Sequence, residues 1–430
     1  MKKCFKFISL IFNKIYRRVW FFYHYFNVKK RQDDYIKYLK EKDCVNIVFF
    51  AFELSEWKYQ NVYEKLKLNP KYNVHIVLSP YIGQSEKQQE GELNKLRSYF
   101  QRKGTPYIDY KDQNGKVFDV RNALSPDILF YPQPVNYLLH PLHNYHHFVD
   151  KLLCYVPYCF QLTNKKNMYN TYFMNLAWKL YYSNNYERQV AASQARNRGR
   201  NVVVTGMADS DDFARMGFID NWKIQDSRIK RIIWAPHFTI SDDVKTGAIP
   251  ISNFLKLHSI MLSLAKEYRS KIQIAFKPHP RLLQMLYLHK DWGIDKTDWY
   301  YNEWKTMQNT QLETGDFIDL FMTSDAMIHD SSSFCIEYHY THKPVMFVSN
   351  HTEDYLTITT KIAQDAIHAH YIGTTEFEIR KFIDDVVLGG NDAMKHKRWD
   401  FYNKYLRTPN NQSVAENICN DLVKSLGFNE

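Results

Sequence analysis

The 430-residue chain is too long for one ordinary hydrophobic core, so two domains of ordinary size are expected. Its net charge of +11 is local: nine of the 57 basic residues fall in residues 1–31, which hold no acid, and 48 bases face 46 acids afterwards. A body this close to neutral lacks the basic groove that nucleic acid requires, so nucleic acid is excluded as a partner. The six cysteines form no CxxC pair and no regular frame, which favours a reducing compartment and free thiols.

Residues 1–31 interleave Lys2, Lys3, Lys6, Lys14, Arg17, Arg18, Lys29, Lys30 and Arg31 with aromatic and aliphatic side chains. The apolar runs are far shorter than the roughly 20 residues of a spanning helix. No small-residue cleavage site follows Phe7–Phe12, as a cleaved signal peptide would require. The segment reads as a basic amphipathic helix on an anionic membrane surface, or equally as a helix packed on the body.

From Val45 the sequence alternates strands and helices. Val45–Phe52 is a continuous apolar run, followed by helical sequence to about Leu68, a strand at Val74–Leu78 and a helix at Glu86–Lys103. Pro126–Pro132 and Leu152–Val156 are further strands, separated by a polar stretch with His140, His143, His146 and His147. After a strand at Asn201–Val204, the charged residues around Ile219–Arg228 mark a domain boundary. This gives a segment 1–31, an N-terminal domain 32–222 and a C-terminal domain 223–430. The second half repeats the pattern: strand Arg231–Ala235, helix Asn253–Tyr268, strand Ile272–Phe276, helical sequence from Leu282, strand Thr310–Glu313 and helix Asp316–Met322. Helices near Glu376–Val387 and Ser413–Leu426 close the chain. Such alternation implies parallel sheets with right-handed crossovers, and two doubly wound α/β domains facing across a cleft.

Three strand ends of the second half carry polar chemistry. Trp234–Ala235 runs into Pro236-His237-Phe238-Thr239; Phe276 runs into Lys277-Pro278-His279-Pro280-Arg281; and Ala326–His329 runs into Asp330-Ser331-Ser332-Ser333, with Glu337 beyond. In a parallel sheet all three open on one edge. Lys277 and Arg281 supply positive charge, the serines and backbone N–H groups supply donors, and two imidazoles serve proton transfer. That set suits a phosphate ester. A single serine there would be no more than a helix cap, whereas three after an aspartate favour an anion at the start of a helix over Phe334–His342. Prolines on both sides of His279 fix its backbone. Glu337 reads either as a ribose acceptor or as a helix-surface carboxylate.

Other chemistries fit less well. GxxxxGK[ST], GxGxxG and GxSxG are absent, and the histidines match neither HExxH nor a Cys/His zinc spacing. No metal and no cofactor is expected; the four histidines of 140–147 read as a polar loop rather than a metal site.

Ala235-Pro-His-Phe-Thr239, Lys277-Pro-His-Pro280, Ser324 to Ser333 and Lys343-Pro344 with Phe347 resemble, in this order and spacing, the CDP-glycerol glycerophosphotransferases of teichoic acid and capsule assembly. The resemblance covers roughly Arg231 to Phe347. It implies the GT-B fold, two Rossmann-like domains with the nucleotide held by the C-terminal one. Ser331, Ser332 and Ser333, with Lys277, Arg281 and Asp330, would hold the phosphates of a CDP-linked donor. His279 would stabilise the leaving CMP, and His237 would face the transferred group. An acceptor hydroxyl on a lipid-linked or polymeric glycan would attack the β-phosphorus, with positioning and charge stabilisation supplying most of the catalysis. Such an enzyme would work in the cytoplasm, peripherally on the inner face of the membrane.

One departure bears on mechanism. Teichoic acid polymerases of this family resemble one another in a His-Gly-Thr turn of the N-terminal domain, whose histidine is taken as the base. The comparable stretch here is Cys154-Tyr-Val-Pro-Tyr-Cys-Phe160, without His or Gly. The base is then another group (His237 or one of His140–His147), or the donor differs. Two competing readings follow: a glycosyltransferase using a nucleotide sugar for capsule or O-antigen assembly, and an inactive membrane-bound relative.

Overall fold

The computed structural model of the protein describes residues 2–133, 138–164, 167–240, 251–331 and 333–428, and the side chains from residue 14 onward. The chain forms two compact units. The first comprises residues 1–159, 165–211 and 408–430, and the second 160–164 and 212–407.

In the first unit, strands β1 (Val45–Ala51), β2 (Tyr72–Leu78), β3 (Ile128–Tyr131), β4 (Leu152–Tyr155), β5 (Lys179–Tyr182) and β6 (Val202–Val204) form one parallel sheet in the order β2-β1-β3-β4-β5-β6. The side-chain period of two explains why β1 is apolar throughout. Ile47, Phe49 and Ala51 enter one core, where Phe49 stacks on Phe130 at 4.4 Å, while Val48 and Phe50 enter a second core on the opposite face. Strand β5 lacks an obvious sequence signal, being four residues in an aromatic run, and it forms because Leu180 and Tyr182 fill the second core.

The first helix spans Lys2–Lys40, longer than the basic segment that suggested it. Phe21 and Leu39 are fully buried, and Phe21 stacks on Tyr172 at 4.2 Å, so one face packs on the first unit. Ile15, Tyr16, Val19, Tyr23 and Phe26 stay exposed among the exposed bases Lys14, Arg17, Arg18, Lys29 and Lys30. No helix of the described residues is long and apolar enough to cross a membrane.

The last helix, Val414–Leu426, belongs to the first unit although sequence grouped it with residues 223–430. Ser413 and Glu416 form a capping box, and the Asp211 carboxylate accepts the N–H groups of Val414 and Ala415 at 2.7 and 2.9 Å. A carboxylate is favourable at that end of a helix because it meets unpaired donors and the positive end of the dipole. Ile418, Leu422 and Leu426, spaced at one helical turn, then complete the first core.

The second unit repeats the architecture. Strands β7 (Lys230–Ala235), β8 (Ile272–Phe276), β9 (Thr310–Leu312), β10 (Ala326–His329), β11 (Val345–Phe347) and β12 (Tyr371–Ile372) are parallel, in the order β12-β11-β10-β7-β8-β9. Ile232, Trp234, Ile274, Phe276 and Ile328 share one core with the helices Phe254–Glu267 and Gly293–Thr306. The chain builds outward from β7 to β9, then returns to place β10 on the other side of β7. The gap between β7 and β10 is therefore the topological switch point, where doubly wound sheets bind ligands.

Candidate active site

Prolines end the strands that matter. Pro236 follows β7 and Pro278 lies two residues past β8; neither has an N–H to continue a ladder, so the chain leaves the sheet there. The N–H of His279 then bonds the carbonyl of Pro236 at 3.0 Å, which ties the two loops together. The sequence-derived sites His237, His279, Arg281, Asp330, Ser331 and Ser333 consequently lie at the carboxyl ends of three adjacent strands. Ser332 lies outside the described residues.

Asp330 is the buried centre of this arrangement, 1% exposed. Its Oδ1 accepts the N–H of His237 at 2.5 Å; its Oδ2 accepts the N–H of Asn253 at 2.6 Å and the hydroxyl of Ser252 at 3.1 Å. Sequence grouped Asp330 with the phosphate ligands, but both its oxygens are engaged by protein donors and a carboxylate repels a phosphate. Its structural part is to join the loop after β7, the approach to the helix Phe254–Glu267 and the end of β10. Burial pushes its carboxyl up to about 7, because desolvation outweighs the hydrogen bonds that favour the charged form. From sequence Asn253 was only the first residue of a helix and Ser252 was not singled out, so neither was assigned to the site.

The two imidazoles sit 5.1 Å apart, near perpendicular. His237 places Nδ1 2.9 Å from the Thr239 hydroxyl, and the Nδ1 of His279 accepts the N–H of Arg281 at 3.1 Å. An accepting Nδ1 puts the ring proton of neutral His279 on Nε2, where it is a donor suited to an anionic oxygen. Burial lowers His237 to about 3, helped by the positive charges of His279 and Arg281, and lowers His279 to about 4, helped by Arg281. Both rings are therefore neutral at physiological pH. Arg281 is exposed and lies 4.3 Å over the Phe238 ring, which also contacts His279 at 4.5 Å between centroids. The cation–π contact aligns the guanidinium beside the imidazoles.

The other residues divide. Ser331 and Ser333 lie in the turn after β10, and Nδ1 of the buried His329 donates to the Ser331 carbonyl at 3.1 Å. Lys277 is buried and its ammonium bonds the carbonyl of Gly315, with Glu313 and Asp316 nearby. Glu337 is 5% exposed, so it is no helix-surface carboxylate. The expected helix Phe334–His342 divides into an α-helix at Phe334–Glu337 and a 3-10 turn at Tyr338–Thr341, stopped by His342 at φ 59° before Pro344.

The four histidines of residues 140–147 form no metal-binding cluster. His143 is fully buried between the Ser79 hydroxyl and the Phe118 carbonyl, each at 2.8 Å; His140 accepts the N–H of Leu142, and His146 packs edge-on against Trp20 at 4.2 Å. Among the described residues, no group of three His, Cys, Asp or Glu is placed to hold a metal ion.

A family model described as CDP-glycerol:poly(glycerophosphate) glycerophosphotransferase matches residues 161–424, which is more than half of the chain. The chain belongs to that family. That membership supports a transferase, as the resemblance of the strand-end motifs implied. No curated protein sequence matches it. Among solved structures, the wall teichoic acid polymerase TagF is similar at 16% identity and a TM-score of 0.55, over 96% of this chain and 98% of that one. A UDP-N-acetylglucosamine 2-epimerase is similar at 12% identity and 0.57, over 90% and 98%. The UDP-GlcNAc 2-epimerase of Neisseria meningitidis, solved with UDP-GlcNAc, is similar at 12% and 0.55, over 88% and 99%. At these identities the likeness establishes the fold, GT-B with two Rossmann-like domains.

Proposed function

We propose that the chain transfers a glycerol-phosphate, or related polyol-phosphate, unit from a CDP-linked donor to a teichoic-acid-like or surface-polysaccharide acceptor. The observation that carries this reading is the placement of two neutral imidazoles, Arg281 and the serine turn at the switch point of the second sheet, in a chain of this family. A CDP-linked donor carries two phosphates. The Ser331–Ser333 turn and Arg281 would hold them, with Lys277 shaping the loop beneath. His279, donating from Nε2, would neutralise charge on the departing CMP, and His237 would face the transferred group. Glu337 is the candidate contact for the nucleotide.

The same reading places the chain on an anionic membrane surface. Its support is the exposed apolar row Tyr16, Val19, Tyr23 and Phe26, spaced three and four residues apart on one helix and flanked by bases. A lipid-linked acceptor would be met there, on the cytoplasmic face.

The test is to incubate the full chain with labelled CDP-glycerol and, separately, with nucleotide sugars, and to identify the nucleotide released. Phosphotransfer releases CMP. Release of CDP or UDP would make the protein a glycosyltransferase, and no release from any donor would make it an inactive relative.

A further inference from the structure

The long first helix carries a polar site beyond its exposed apolar row. Tyr16, Val19, Tyr23 and Phe26 recur at three and four residues. The same spacing runs on through Lys30, Asp34 and Tyr38, so these residues share one stripe of the helix. Past the row the helix lines an open cleft of about 440 Å³ with Asn27, Lys30, Arg31, Asp34, Tyr35 and Tyr38. That volume is within the range of clefts that hold small molecules.

The cleft contains a half-buried guanidinium whose side-on edge makes no bond. Arg31 Nη1 donates to His24 Nδ1 at 3.1 Å, while Nε and Nη2 are shielded from water and hydrogen-bond to nothing among the described residues. Asp150, the carboxylate that acts on Arg31 through space, is engaged by Arg121 in bonds of 2.7 to 3.3 Å. Shielded donors of an ionised group are costly to leave unmade, so an arginine kept here for stability would carry a bonded carboxylate. Nε–H and Nη2–H form the fork that takes two oxygens of a phosphate. Lys30 is exposed beside it and adds a second positive charge. Asp34 lies in the same cleft but pairs with Lys37 at 3.5 Å, so the lining keeps a net positive charge. Tyr35 is fixed as a wall, donating to Asp127 at 2.7 Å and accepting from Lys151 at 2.8 Å. Asn27 donates its Nδ2 to the Tyr23 carbonyl at 3.0 Å and keeps Oδ1 as an acceptor.

We propose that this cleft is a headgroup site for an anionic phospholipid, in which Arg31 takes two phosphodiester oxygens side-on. Lys30 adds charge, and Asn27 accepts a hydroxyl of a glycerol headgroup. The site rests on the membrane reading above and gives it one specific contact. The occupant is a membrane lipid rather than free phosphate because the cleft begins where the exposed apolar row ends. Arg31 follows Phe26 by five residues, about 7.5 Å along the helix, so one bilayer surface reaches both.

The experiment titrates the full chain and its Arg31→Lys and Lys30→Gln variants with dihexanoylphosphatidylglycerol, kept below micelle formation, and with inorganic phosphate. Sedimentation with phosphatidylglycerol vesicles and melting temperature are measured alongside. Wild type should bind the soluble lipid saturably and inorganic phosphate more weakly. Arg31→Lys keeps the charge but loses the fork, and should bind the soluble lipid about tenfold more weakly, the scale of one charge-assisted hydrogen bond. Lys30→Gln, at an exposed position, should weaken binding about fivefold. Both variants should melt with wild type; a fall confined to Arg31→Lys would make Arg31 structural and overturn its part in the site. Soluble-lipid binding that is absent in wild type, or unchanged in both variants, overturns the headgroup site and leaves the membrane reading standing. Equal affinity for inorganic phosphate makes the cleft a general anion site and overturns the lipid assignment. Wild type that sediments with no anionic vesicle overturns the membrane reading, and this site with it.

Discussion

The Asp330 carboxylate accepts the backbone N–H of His237 at 2.5 Å, across 93 residues of sequence. One imidazole of the site is thereby tethered to the turn that carries the serines, and the tether is made by main chain rather than by the ring. Asp330→Asn keeps the shape but turns an amide N–H₂ towards one of the N–H donors it now serves. Leaving a buried donor unsatisfied costs about 1–3 kcal/mol. Urea unfolding should show a loss of that size, with kcat/KM reduced because His237 is displaced; an unchanged midpoint would show that the clamp is not needed.

His279 is expected to act as a donor rather than a base. Replacing it with alanine should reduce CMP release by about 10²–10³-fold, the scale for removing one donor to a developing oxyanion. CDP binding should weaken far less. Equal losses in both would mean that His279 only binds the ground state.

Ligand binding should also change the titration of these rings. Without ligand, His237 and His279 stay neutral down to about 3 and about 4 respectively. A bound diphosphate places negative charge beside them and offsets the desolvation that depresses them. Histidine-labelled NMR should show both values rising on addition of CDP. Values that stay put would mean that the diphosphate binds elsewhere.

The second unit should be acid-labile from mildly acidic pH. His329 and His339 are buried and lowered to about 3, and His370, which meets His339 at 3.0 Å between Nε2 atoms, is also pushed down by burial. Together with His237 and His279 they stay neutral in the folded state, while unfolded imidazoles take up protons near 6.5. The unfolded chain thus binds more protons between those limits, and stability falls as pH drops through about 6.5, by up to about 1.4 kcal/mol per pH unit for each ring. Asp330 works in the opposite sense: its raised carboxyl takes up a proton in the folded state first, which offsets one ring. Urea midpoints at pH 7 and pH 5 check the balance, and a higher midpoint at pH 5 would contradict it.

The exposed row on the first helix predicts membrane binding. Tyr23→Glu with Phe26→Glu should abolish co-sedimentation with phosphatidylglycerol vesicles while leaving the melting temperature unchanged, since both side chains are exposed. Undiminished sedimentation would assign membrane contact to another surface.

The legible part of this chain is the part governed by local rules. Apolar runs of strand length, proline at strand ends and small polar turns put His237, His279 and Ser331 at one sheet edge, because parallel strands must end together. Long-range main-chain bonding is not legible in that way. Nothing local says that Asp330 serves the N–H groups of His237 and Asn253 rather than a phosphate, or that Asp211 draws the last helix back to the first unit.

The central claim is tested most directly by the identity of the nucleotide released. Purified full-length chain, supplied with CDP-glycerol and a glycerol-phosphate-bearing acceptor on anionic vesicles, should release CMP in step with acceptor elongation. CDP or UDP as the released nucleotide, or elongation without CMP, would contradict the account.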